Sequence, residues 1–255
     1  DEGTEIHLGA RALDSMPRWM DRFVDEWARL GLVRREGDSL VPDAPLPELL
    51  KHLSEGSSIC LGSRVSGLEI IEEGIQVTTE SEGDGEVFRY DRVIVAVPVE
   101  QASEISTDLG IDIDGESIPS IVAWGFCDSM PEEAPEGFRI HDLGNSTAMV
   151  ELSTEMSGRL IDQDKLSLSK IITDSIGISG EGWKAHKWRY SRASSGPGSV
   201  VTKDGVSFIG DAFGSDIGSA GASLDSASRA VSNLHLSVLE PAFERRPVQS
   251  SLTDW

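Results

Sequence analysis

Apolar residues recur at three- and four-residue steps near the start of the chain: Met16, Trp19, Met20, Phe23, Trp27 and Leu30. This spacing predicts an amphipathic helix over 15–31, with Ser15 as N-cap, Pro17 in the first turn and Gly31 at its end. The aromatic stripe reads as core packing, or else one Trp lines a ligand cavity. Leu46, Leu49, Leu50 and Leu53 predict a short second helix that stops near Gly56. The period then changes to two. Ile59–Leu61, Val65–Ile71, Ile75–Thr79 and Val87–Tyr90 predict strands, separated by Gly62, Gly74 and the Gly83-Asp84-Gly85 turn. Val93–Val97 is a continuous apolar run closed by Pro98, the pattern of a parallel strand buried on both faces.

The second half has a different character. Residues 106–119 are polar and turn-rich, which predicts a crossing into another domain. Ile121–Phe126, Phe138–His141, Ala148–Leu152 and Trp183–Tyr190 predict strands of a separate sheet, and Asp164–Ile176 a helix. Val206–Ile209 predicts a short strand, followed by a turn rich in glycine and serine and a helix from about Ala222 to Leu239.

Charge narrows the function. The 255 residues carry 44 acids and 22 bases, a net charge of -22. Phosphate backbones and anionic lipid surfaces would be repelled, so neither nucleic acid nor membrane is an expected partner. Arg outnumbers Lys by sixteen to six, and the acids are spread along the chain. Such a surface suits a high-salt cytoplasm, or simply an acidic mesophile protein. No basic and apolar leader is visible, so the expected compartment is the cytoplasm. Two cysteines, Cys60 and Cys127, write neither a disulfide framework nor a paired-cysteine metal site, and the five histidines show no metal spacing.

Two constellations could carry chemistry. The first is Ser207-Phe208-Ile209-Gly210-Asp211-Ala212-Phe213, followed by Gly214, Gly218 and Gly221-Ala222 at the start of a helix. Gly210 lets a ligand or another backbone approach, and Asp211 can accept hydrogen bonds from a sugar hydroxyl. The helix start offers free N–H groups to an anionic edge. An ordinary strand–loop–helix turn with a capping Asp gives the same spacing. The second is Trp183–Arg192. From Gly182 to Lys203 there is no acid, while five Lys or Arg and one His occur. On a strand, His186, Trp188 and Tyr190 share one face and Lys187 and Arg189 the other. This suits an anionic planar ligand, or a strand that balances nearby carboxylates. No acid–base or nucleophilic residue is assigned.

In their order, Val93–Pro98, Trp188-Arg189-Tyr190, Gly210-Asp211-Ala212-Phe213 and Gly221-Ala222 resemble the FAD-dependent amine-oxidase-like flavoproteins, most closely their renalase branch. The resemblance implies an α/β (α+β mixed) fold: a Rossmann-like FAD-binding domain (1–10, 48–105 and 200–243) with an inserted antiparallel-sheet substrate domain (11–47 and 106–199). It implies FAD as cofactor, with Val65 toward the adenine and Pro98 closing the strand beside the flavin. Gly210, Asp211 and Ala212 would sit near the ribityl–pyrophosphate stretch, and Gly221 and Ala222 at the ring's carbonyl edge. His186, Trp188, Arg189 and Tyr190 would serve a small-molecule substrate, an amine or a dinucleotide such as a dihydronicotinamide, oxidised at the expense of oxygen. The chain departs from the family in having no Gly-x-Gly-x-x-Gly strand–turn–helix unit, about 35 to 45 residues in size. Truncation accounts for this, or natural loss in a binding or partner subunit that cannot hold FAD alone. Asp225 and Ser226 also stand where the family more often has Ser-Gly.

Overall fold

The computed structural model describes residues 12–233, apart from 38, 45, 81–84, 128, 130, 132 and 179–181. The expected turn at Gly83 and Asp84, and the end of the expected last helix beyond 233, lie outside the described residues.

The first unit is built on the apolar stripe. A single 3-10 turn, Arg18–Met20, leads into helix α1 (Asp21–Arg29). Met20, Val24 and Trp27 point into a small core with Leu49 of α2 (Leu46–Leu53). The hairpin β1 (Val33–Glu36) and β2 (Ser39–Pro42) completes it with Val33 and Leu40. The helix begins later than the spacing predicts, because Pro17 is extended (ψ 140°) and Ser15 sits at φ 58°. A proline disfavours helical backbone in the residue before it, so Met16 cannot open the helix. Leu224, on the last helix, packs against this core.

The next strands form a meander: β3 (Arg64–Ile71), β4 (Gly74–Glu80) and β5 (Gly85–Tyr90), all antiparallel. Residues 59–61, expected as a strand, form none. Strand β6 (Val93–Val95) follows, then helix α3 (Val99–Thr107), entered through Pro98 as its N-cap. The polar crossing expected from 106 therefore starts only after this helix.

Strand β7 (Glu116–Phe126) opens the second sheet, with β8 (Phe138–Gly144), β9 (Thr147–Leu152) and β10 (Lys184–Ser195) in the order β10-β7-β9-β8, all antiparallel. Helices α4 (Thr154–Leu160) and α5 (Lys165–Ile176) cover one face. Asp164 caps α5 by accepting from the Leu166 and Ser167 N–H groups at 3.0 Å. Leu168, Ile172 and Ile176 then meet Ile121, Ala123, Val150 and Trp183 in a second core. Gly125 is required there, because a Cβ would stand 2.6 Å from the Trp183 ring, whose Nε1 donates to Phe126 O at 2.9 Å.

The chain then returns. Strands β11 (Val201–Lys203) and β12 (Val206–Phe208) pair antiparallel, and β12 pairs β6 in parallel. Helix α6 (Ala220–Asn233) closes the described chain. Val95, Val99, Phe208 and Phe213 share the third core with Leu68, Ile75 and Val77 of the meander. The expected parallel strand is present, but it is not buried on both faces: Ile94 is 40% exposed, because β6 is an edge strand among the described residues. The fold class is mixed α/β, with one parallel pair and mostly antiparallel sheet. No described helix is long and apolar enough to cross a membrane.

Phe208 is fully buried in the third core, so Phe208→Ala is expected to cost about 3–5 kcal/mol of unfolding free energy. Leu166→Ala, at a residue 83% exposed, should cost less than about 0.5 kcal/mol, with urea denaturation as the measure for both.

Candidate functional site

Strands β6 and β12 run in parallel and end at the same place. Their carboxyl ends open into a cavity of about 770 Å³, the position at which open parallel sheets bind ligands. Ala96–Pro98 follow β6 and Ile209–Asp211 follow β12, forming the floor. Asp216–Ala220 and Ser223 form one wall, Tyr190–Ala193 of β10 with Ser117 the opposite one, and residues 12–14 the rim.

Asp211 holds these walls together. One of its carboxylate oxygens accepts the Ala193 N–H at 2.7 Å, and its carbonyl accepts the Gly218 N–H at 3.0 Å. Gly218 must be glycine: its φ is 85°, and a Cβ would stand 2.5 Å from Ala193 O. Gly210 (φ 136°) is held by Ser226, a fully buried residue of α6. The Ser226 hydroxyl accepts the Gly210 N–H at 3.0 Å, and its single proton faces Gly210 O (3.1 Å) and Ser223 O (2.8 Å).

The start of α6 differs from its expected role. Ser219 caps the helix by accepting the Ala222 N–H at 2.9 Å, and the Gly221 N–H donates to Asp14 O at 3.2 Å. Gly221 lies directly against the Ser15 backbone, and Gly221 and Ala222 are both buried. The helix start therefore faces residues 14–15, and neither Gly221 nor Ala222 lines the cavity. Ser219 and Ala220 line it in their place.

Of the other expected cofactor residues, Pro98, Gly210 and Asp211 line the cavity. Ala212 is buried beneath it, against Gly196, with its carbonyl accepting the Gly198 N–H at 3.0 Å. Val65 lies on β3, 41% exposed and outside the cavity. Asp225 also lies outside; it pairs with Arg229 at 2.9 Å, one turn along α6.

The basic segment divides in two. Trp188 pairs with Ser120, but the next pair is Arg192 with Ile118, so four steps along β10 match two along β7. This irregularity breaks the expected alternation and turns Tyr190–Ala193 into the cavity. His186, Trp188 and Arg189 lie before it and do not line the cavity. The His186 ring lies 4.3 Å from that of Trp188, and burial, then Lys165, lowers its pKa below the usual 6.5. Arg189 pairs with Asp162 at 2.7 Å, a contact that lowers the Asp162 pKa and raises that of Arg189. Lys187 donates to Ile161 O and Gln163 O at 2.8 and 2.6 Å. Arg189 and Lys187 thus balance local acceptors.

Sequence reasoning did not single out Arg192, Asp14, Asp216, Ser219 or Ser223. Arg192 carried a signal, as the last cation of the Trp183–Arg192 segment, but nothing in the spacing separated it from Arg189. The cavity holds three carboxylates, Asp14, Asp211 and Asp216, and one guanidinium, Arg192. Asp14 is occupied by the Ser39 hydroxyl at 2.6 Å. No group of three His, Cys, Asp or Glu residues arranged to hold a metal occurs among the described residues.

Residues 5–114 match the family model described as flavin containing amine oxidoreductase. This stretch is similar to the flavin-containing amine oxidoreductases. No curated protein matches the chain. Among solved structures, BexE, studied for oxidation during BE-7585A biosynthesis, is similar over 89% of this chain and 54% of its own, at 14% identity and a TM-score of 0.57. OxyS anhydrotetracycline hydroxylase from Streptomyces rimosus shares 17% identity over 76% of this chain and 42% of its own, with a TM-score of 0.47. The flavin-dependent monooxygenase PieE, solved in complex with FAD and substrate, shares 18% identity over 76% and 37%, with a TM-score of 0.45. The chain thus spans about half, or less, of the length of these proteins. The likeness to BexE extends over most of this chain and is a likeness of fold.

Ser226→Ala removes the acceptor of a buried N–H in the turn after β12. It should lower stability by about 1–2 kcal/mol in urea unfolding, while a Ser226→Thr variant that keeps the hydroxyl should recover part of the loss.

Proposed function

We propose that the cavity holds the sugar and ring portion of FAD, and that the protein is an FAD-dependent oxidoreductase acting on a reduced nitrogen-containing small molecule, an amine or a dihydronicotinamide. The observation that carries this reading is the meeting of Pro98, Gly210 and Asp211 at the carboxyl ends of both parallel strands, in a chain with a flavin-family stretch. The residues present fit this part of the cofactor. Asp211 uses one carboxylate oxygen on Ala193, which leaves the other for a hydroxyl of the sugar chain. The turn at Gly210 and Gly218 lets a flat group approach the backbone. The cavity's size suits a ligand of this class. A glycine-rich phosphate cradle is not among the described residues.

A bound flavin would supply a hydride acceptor and pass the two electrons to oxygen. The chain's own part is placement. Ser226 keeps Gly210 in position, Asp211 fastens the facing wall, and β10 sets Tyr190 and Arg192 where a substrate would meet the ring. A flavoprotein-like partner subunit that does not hold FAD alone is the second reading. It is favoured by the Gly221 N–H already used on Asp14 O.

Titration of the purified chain with FAD, followed by flavin fluorescence, separates the two. The oxidoreductase reading predicts saturable binding, weakened about tenfold or more by Ser223→Trp, which fills the cavity from the α6 wall without touching a core. Lack of saturation, or equal binding by Ser223→Trp, would contradict the cavity assignment and favour the partner-subunit reading.

A further inference from the structure

A second cavity, of about 600 Å³, lies on the four-stranded sheet. Its walls are Ile118–Ser120 of β7, Gly137–Arg139, Glu151–Thr154 and, from β10, Ser191 and Arg192. Ser191 and Arg192 line both cavities, so the irregular stretch of β10 is the partition between them.

The cations of the acid-free run can be sorted by what they touch. Arg189 is neutralised by Asp162, Lys187 is spent on two carbonyls, and Lys203 donates to Leu109 O at 2.6 Å. Lys184 and Arg192 make no side-chain hydrogen bond or ion pair with any described residue. Lys184 lines neither cavity, so Arg192 is the uncommitted cation at the partition.

The other charges of the second cavity do not cancel it. Glu151 lies 3.8 Å from Arg139 and 3.6 Å from His141 Nε2, so its carboxylate already faces basic groups. Arg139 and Arg192 against Glu151 leave the cavity positive, in a chain of net charge -22. A cleft of reversed sign concentrates anions, and a guanidinium offers two parallel donors to an oxyanion.

We infer that the second cavity is the substrate pocket and takes a small molecule bearing a carboxylate or phosphate, which Arg192 holds while the rest of the ligand reaches the first cavity. The role as substrate pocket rests on the flavin reading above; the anion site does not. This relocates the anionic-ligand site from Arg189, where the basic run first suggested it, to Arg192.

Calorimetric titration of the full chain, without flavin and at fixed ionic strength, tests the site. Succinate and inorganic phosphate are the probes, with uncharged succinamide as the blank. Saturable binding of at least one anion is expected, weakened about tenfold in Arg192→Gln and within about twofold of wild type in Lys184→Gln, which removes the same charge outside both cavities. Arg192→Lys should retain part of the affinity, which separates loss of the site from loss of the fold. Glu151→Gln should tighten binding, and Asp216→Asn, in the first cavity, should not. A preference for succinate identifies a carboxylate substrate, and a preference for phosphate a phosphate ester. Equal weakening by Arg192→Gln and Lys184→Gln, no saturation with either anion, or tightening by Asp216→Asn instead of Glu151→Gln would overturn the proposal. Anion binding that behaves as expected in a chain that does not bind FAD would keep the anion site and remove the flavin reading; the reverse pair of results would remove the anion site alone.

Discussion

The Asp211 carboxylate ties strand β10 of the four-stranded sheet to the turn that follows β12. Strand β10 starts in the core beneath the four-stranded sheet, where Ala185 is buried with Trp183. It ends in the core of the parallel pair, where Ala193 is buried with Phe208 and Phe213. There Ala193 still pairs with Ser117 of β7, between two register irregularities, and without Asp211 its buried N–H would lack the acceptor it has. Asp211 supplies one at 2.7 Å, while its own carbonyl ties down Gly218. A buried N–H left unpaired costs about 1–3 kcal/mol, so the path of β10 and the turn into α6 depend on the same residue. The first cavity is the space these two constraints hold open.

Much of the architecture was legible where one rule decided the outcome. Period-two runs located β3, β4, β7 and β9, and the apolar run before Pro98 was recognised as a parallel strand. Asp164 at the head of α5 and Gly177 behind it, at φ 67°, follow local capping rules. The start of α1 was misjudged because proline's effect on the preceding residue outweighed the apolar spacing. Helices α3 and α4 went unread, since few of their residues are apolar and their burial comes from tertiary contact, as with the buried Ser106 and Ser157.

The candidate site was legible in part, for a related reason. Gly210 and Asp211 stand out because glycine and aspartate after a strand have few other uses. The basic run of β10 also stood out, but alternation assigned its faces as if the strand were regular. The break between Trp188 and Arg192 depends on pairing with β7, a non-local fact that no local pattern contains. It separates Arg189, which faces Asp162, from Arg192, which faces the cavities. Ser226 looked like a departure from the family, yet its hydroxyl is what holds Gly210.

The central claim is that the Asp211 carboxylate sets the path of β10 and thereby forms the cavity. Amide hydrogen exchange at Ala193 tests it most directly, compared between the wild-type chain and Asp211→Ala. The account predicts a slowly exchanging Ala193 amide that exchanges at least about tenfold faster in the variant, with Gly218 affected and Ile121, in the other core, unchanged. An Ala193 amide equally protected in both proteins would contradict it.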